Sequence, residues 1–141
     1  MKSLFYWLVV GIAGFATFGS LGLVMDEWNI GNICPKIIGI PACYIVFACF
    51  VIALISHLIP NPNPNPNPNP NPNPNPNPKW VFFFFVGIVT LIASTGTFGE
   101  LTGTAKCPRT SGGTPMCFIS LAICLSLLVS KIAFLKVSSK K

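Results

Sequence analysis

The stretch LFYWLVVGIAGFATFGSLGLVM, residues 4–25, decides the fold, because it runs through 22 residues without Asp, Glu, Lys or Arg. A bilayer core of about 30 Å needs about 20 apolar residues of helix, since hydrocarbon leaves backbone polar groups no partner outside their own segment. Residues 42–59, 80–98 and 116–135 read the same way, and none of the four contains Asp, Glu or Arg. The expectation is an all-α membrane protein with four transmembrane helices. Lys2 ahead of the first run and small residues near Ala16 also fit a cleaved secretory leader. The length of the run and a matching span later in the chain favour a retained helix.

Composition agrees with this reading. Of 141 residues, 52% are hydrophobic and 9% charged, against about 25% charged in soluble domains. A soluble fold is excluded. The net charge of +6 is spread too thinly to form the clustered basic face of a nucleic-acid-binding protein. Its use is topological instead.

Between the second and third spans lies a tract of nine Asn-Pro dipeptides, Asn61 to Pro78. Each Pro lacks an N–H and disfavours helix for the Asn before it, so the tract is expected to be a disordered low-complexity linker. The chain then divides into a first transmembrane hairpin over 1–60, the linker over 61–78, and a second hairpin over 79–141 that ends in a short basic tail.

The hairpins look duplicated. Trp7, Gly14 and Cys34-Pro35 fall on Trp80, Gly87 and Cys107-Pro108 without a gap. With one inserted residue, Pro41-x-Cys43 falls on Pro115-x-Cys117, and Leu54-Ile55-Ser56-His57 on Leu128-Val129-Ser130-Lys131. A competing match, Thr17-Phe18-Gly19 with Thr97-Phe98-Gly99, is shifted by seven residues. Span one, rich in Gly and Ala, is expected to be the central helix of the bundle. The run Phe82 to Phe85 must point around its helix, so that some rings face lipid.

Orientation follows the excess of Lys and Arg at cytoplasmic span ends. Lys2, Lys79, Lys136, Lys140 and Lys141 gather on one side, with Lys131 snorkelling toward it from the last turn of span four. Lys36, Lys106 and Arg109 on the other side are offset by Asp26, Glu27 and Glu100. Both termini are expected to be cytoplasmic, with a bacterial inner membrane as the default location. His57, the one histidine, reads as an interfacial residue at the inner end of span two.

Six cysteines form two classes. Cys49 and Cys124 lie within spans and read as small buried apolar side chains. Cys34, Cys43, Cys107 and Cys117 belong to the outer loops or the helix starts beside them, on the side that faces an oxidising compartment. The repeat makes one pairing simple, Cys34 with Cys43 and Cys107 with Cys117; the exchanged pairing would join the loops. One reading is structural: the bonds staple short loops that have no core. The other begins from Pro41 and Pro115 at first-turn positions, which place Cys43 and Cys117 at helix N-termini. There a thiolate is stabilised, with Lys36, Lys106 and Arg109 adding to the effect. A shared four-cysteine metal site lacks a close Cys-x-x-Cys knuckle, and no resident metal is expected.

Four spans, cytoplasmic termini and a cysteine pair in each outer loop resemble the bacterial disulfide-bond formation protein B family and, more distantly, the vitamin K epoxide reductase family. That resemblance implies a membrane thiol oxidoreductase. Cys34 and Cys43 would be its first redox pair and Cys107 and Cys117 its second, a quinone would be the electron acceptor, and an extracytoplasmic thiol protein the partner. These families carry Cys-x-x-Cys, whereas here Cys34-Pro-Lys-Ile-Ile-Gly-Ile-Pro-Ala-Cys43 separates the pair by eight residues.

A small transporter is a further reading, and at this length it would need to form a homo-oligomer. The spans hold none of the embedded carboxylates that ion-coupled transport uses. No phosphate-binding glycine loop or nucleophile elbow is found.

Overall fold

The computed structural model describes residues 2–59, 78–110 and 112–139. The expectation for the Asn-Pro tract falls, apart from Pro78, outside the described residues. Among the described residues four helices form: α1 (Lys2–Ile30), α2 (Ala42–Leu58), α3 (Pro78–Thr102) and α4 (Met116–Ser139). Two short strands, β1 (Lys36–Ile37) and β2 (Ile40–Pro41), pair antiparallel between α1 and α2.

Three of the helices, α1, α3 and α4, are long and apolar enough to cross a membrane. With 17 residues, α2 rises about 25 Å, short of the hydrocarbon thickness. By contrast, α1 has 29 residues and a length of about 44 Å. It outruns the apolar stretch 4–25, and its last turn, from Asp26 to Ile30, stands beyond the greasy run. No breaker occurs in that turn until Gly31, which takes the left-handed conformation at φ +72° and donates its N–H to the Glu27 carbonyl at 2.9 Å. At the end of α3, Gly103 has φ +71° and donates to the Glu100 carbonyl at 3.3 Å. Both helices stop as glycine-capped helices do.

The helices close into a ring in which α1 packs on α2 and α4, and α3 packs on α2 and α4. No helix is central, which corrects the expectation for span one. Ala13 and Ala16 of α1 do face the core. Gly11, Gly14, Gly19 and Gly22, however, have nothing within 4 Å of where a Cβ would stand, so these four glycines do not mediate close helix approach within the chain. The core is one apolar cluster to which every helix contributes, including Val9, Phe50, Val86 and Leu127. Cys49 and Cys124 are free and buried in it, as their sequence positions imply.

The exterior is apolar as well. Phe18 and Phe84 are 78% and 62% exposed, while Phe82 is wholly buried, so the four-ring run does divide between lipid and core. Hydroxyls inside the helices bond to their own backbone: Thr17 donates to the Ala13 carbonyl, Thr90 to Val86 and Thr97 to Ala93. A helix in hydrocarbon has few other acceptors to offer.

Candidate functional site

The four loop cysteines meet at one end of the ring, where α1 passes to α2 and α3 passes to α4. Two disulfides form within the loops, Cys34–Cys43 with a Cα separation of 6.0 Å and Cys107–Cys117 with 6.1 Å. The exchanged pairing does not occur. With every loop sulfur in a disulfide, none is a thiolate that could ligate a metal.

The two loops are built alike. Pro41 is the N-cap of α2 rather than its first helical residue, so Cys43 is the second residue of the helix. Cys117 is the second residue of α4. In each case the first helical N–H, which lacks a partner within its helix, is satisfied from across the loop. Ala42 donates to the Pro35 carbonyl at 2.9 Å and Met116 to the Pro108 carbonyl at 2.8 Å. Each cysteine-proline pair thus supplies a disulfide sulfur and, from the next residue, the carbonyl that caps the helix the disulfide reaches.

Each loop is also held by a carboxylate that sequence reasoning treated only as charge balance. The Glu27 oxygens accept the N–H groups of Asn32 at 3.0 Å, Ile33 at 2.7 Å and Cys34 at 2.9 Å. Glu100 accepts the Cys107 N–H at 2.9 Å and pairs with Arg109 at 2.7 Å. Each acid lies seven residues before the cysteine it holds, and that shared spacing was the signal available in the sequence.

The bases act on the loop carboxylates. Arg109 is bonded to Glu100, Lys106 adds to the positive field on Glu100, and Lys36 adds to that on Glu27.

The Cys34 N–H is the main influence holding the Glu27 carboxyl below its ordinary value of 4.5, with burial opposing it and the Ile33 and Asn32 N–H groups and Lys36 reinforcing it. A depressed carboxylate contributes stability that is complete above the unfolded value and lost as pH falls through the folded one. Amide protection at Asn32, Ile33 and Cys34 is accordingly expected to be flat above about pH 5 and to fall on acidification. Glu27→Gln is expected to lower that protection several-fold and flatten its pH response. Hydrogen exchange corrected for intrinsic rates makes the measurement.

Beneath the disulfides the ring leaves an apolar cavity of about 70 Å³, bordered by Pro35, Cys43, Pro108 and Cys117. A second recess of about 240 Å³ shares Ser20, Leu23, Val46, Met116 and Ser120 with it and reaches Phe15 and Gly19 on the α1 surface. The two disulfides thus roof an apolar space that continues toward the bilayer-facing side of α1 and α4. Access to the sulfurs from the other side is poor, since Cys34, Cys43 and Cys107 are 4%, 6% and 6% exposed.

At the opposite end of the ring, Lys131 is 5% exposed and His57 6%. Lys131 does not snorkel. Its ammonium lies 2.6 Å from His57 Nδ1, and His57 is a packed residue rather than an interfacial one.

No protein-family model, curated protein or solved structure matches this chain.

Proposed function

We propose that the chain is an integral membrane protein of four spans in two tandem hairpins, whose extracytoplasmic loops are closed by permanent disulfide staples. The observation that carries this reading is the construction of the loops. In each, a disulfide, a helix-capping carbonyl and a carboxylate tie one helix end through the loop to the next helix start, and Cys34, Cys43 and Cys107 are nearly inaccessible. That construction supports a hairpin repeat in the 73-residue register, since Glu27 and Glu100 then correspond along with Cys34 and Cys107. Helix α2 completes the spanning ring despite its length because it is flanked by α1 and α3. Charge asymmetry favours cytoplasmic termini and a bacterial inner membrane, with the bilayer as the partner.

Mapping the four loop cysteines by mass under non-reducing conditions, with and without thiol trapping in cells, tests the staple. Full oxidation in both conditions is expected. An impermeant thiol reagent should reach these cysteines only after reduction, and a reporter fused after Lys141 should be cytoplasmic.

The apolar space against Cys43 and Cys117 favours a second reading, a thiol oxidoreductase of the disulfide-bond formation protein B type. In this reading a lipid-soluble quinone occupies that space and accepts two electrons from a reduced cysteine pair, re-forming its disulfide, while a thiol protein supplies the electrons. It requires mixed disulfides trapped by Cys34→Ser or Cys107→Ser and quinone-dependent turnover. Absence of both removes it.

A further inference from the structure

Helices α1 and α4 meet across small side chains. Ala16 and Ser20 are buried on α1, Gly19 lies beside them, and Ser120 borders the same recess from α4. Small residues ordinarily let membrane helices close on each other. Here they do not, since nothing lies within 4 Å of where a Gly19 Cβ would stand and the recess of about 240 Å³ fills the gap. It runs from the outside of the ring to the core, bordered at one extreme by Phe15, which is 68% exposed, and at the other by Phe50 of α2, which is 3% exposed.

Its depth matches one leaflet of a bilayer. Along α4 it is bordered from Met116, at the disulfide end, to Ile123, seven residues or about 10 Å of helix rise, against about 15 Å for half of the hydrocarbon core. On α1 its border, Phe15 to Leu23, falls within the charge-free run 4–25. In a bilayer its opening therefore meets hydrocarbon.

Water is a poor occupant. A buried water needs about two to four polar partners, whereas the Ser20 hydroxyl already donates to the Thr17 carbonyl at 2.9 Å and most of the remaining border is apolar. A dry apolar space of about 150 Å³ takes up an apolar guest, and an empty one forfeits the contacts of its whole lining. Among the described residues the border carries no charged side chain and no imidazole, so nothing there selects a quinone ring over a plain hydrocarbon chain.

We infer that the recess between α1 and α4 holds one acyl chain of a phospholipid from the leaflet at the disulfide end, with its methyl end against Phe50. This inference rests on the membrane-spanning reading above and holds for staples and redox pairs alike.

The test is photolabelling of the full chain in phosphatidylcholine liposomes, in which a fraction of the lipid carries a diazirine at the methyl end of one acyl chain, with the labelled residues mapped by mass spectrometry. Lipid that merely surrounds the protein reaches the exposed Phe18 but not the buried Phe50. Wild-type protein is expected to be labelled at both. Gly19→Leu and Ser120→Leu, which each put a larger side chain at the border of the recess, should lower labelling of Phe50 at least fivefold and leave Phe18 labelled. Gly11→Leu, which also enters open space but away from the recess, should label like wild type. Ser120→Leu keeps the test informative if Gly19→Leu fails to fold, and thiol protection of Cys49 and Cys124 verifies the fold of each variant. An unlabelled isoprenoid quinone at a small mole fraction should not compete; if it abolishes labelling of Phe50, the recess belongs to quinone and the acyl chain is overturned. Phe18 labelled without Phe50, or Phe50 labelled equally in wild type and both filled variants, overturns it as well. Labelling of neither ring refutes the membrane-spanning reading itself and this inference with it.

Discussion

Removing either disulfide, by Cys34→Ser with Cys43→Ser or by Cys107→Ser with Cys117→Ser, is expected to lower stability by about 2–3 kcal/mol. The bonds close loops with sequence separations of 9 and 10 residues. In the chain-entropy model their main effect is to deny the unfolded chain conformations that open those loops. Each double serine variant avoids leaving an unpaired thiol. It also puts hydroxyls into surroundings that Cys34, Cys43 and Cys107 share as nearly inaccessible residues, which adds to the loss if they find no partner. Unfolding in mixed micelles, followed by the reactivity of the buried Cys49 and Cys124 thiols, reads the change without an added label. An unchanged midpoint would show that helix packing and the Glu27 and Glu100 bonds hold the loops unaided.

The second large effect is expected at Gly96, in the half of α3 that faces the second disulfide. A Cβ there would stand 2.8 Å from Cys117 Sγ and 3.4 Å from Cys107 Sγ. These sulfurs are bonded to each other, so neither can swing aside as a free side-chain end does. Gly96→Ala is therefore expected to destabilise by about 1–3 kcal/mol, the range for overpacking, despite the better helix propensity of Ala. Gly11→Ala is the control. It lies in a helix too, but nothing stands within 4 Å of its Cβ position, so the variant should be neutral or slightly stabilising. In the Cys107→Ser, Cys117→Ser background the penalty of Gly96→Ala should shrink, because the separate serine side chains can move apart. A penalty that is the same in both backgrounds would place its origin elsewhere on α3.

Much of the outline was legible because the relevant signals are local. A 22-residue run without charge needs a helix in lipid whatever surrounds it, and the run Phe82–Phe85 must divide between faces. The class of each cysteine followed from whether it stood deep in a run or in a loop and the helix start beside it. Pairing within loops was the simpler of two readings, and the geometry realised it. The role of Glu27 and Glu100 was not read, because a carboxylate at the end of a helix counts equally as surface charge until the chain turns and brings its N–H groups back. Lys131 misled for a related reason. A lysine near a helix end ordinarily reaches the interface, but α2 stops early and its His57 offers an acceptor inside the ring.

By itself the sequence determined the apolar helices, the loops between them and the end of the molecule at which each charge lies, since these depend on local composition and on the thickness of a bilayer. Tertiary structure alone decided that the helices close as a ring without a central member, that the glycines of α1 face outward, and that His57 meets Lys131. Those outcomes depend on which helix faces meet, and the helices are apolar on nearly every side, so no sequence stripe marks the face that packs.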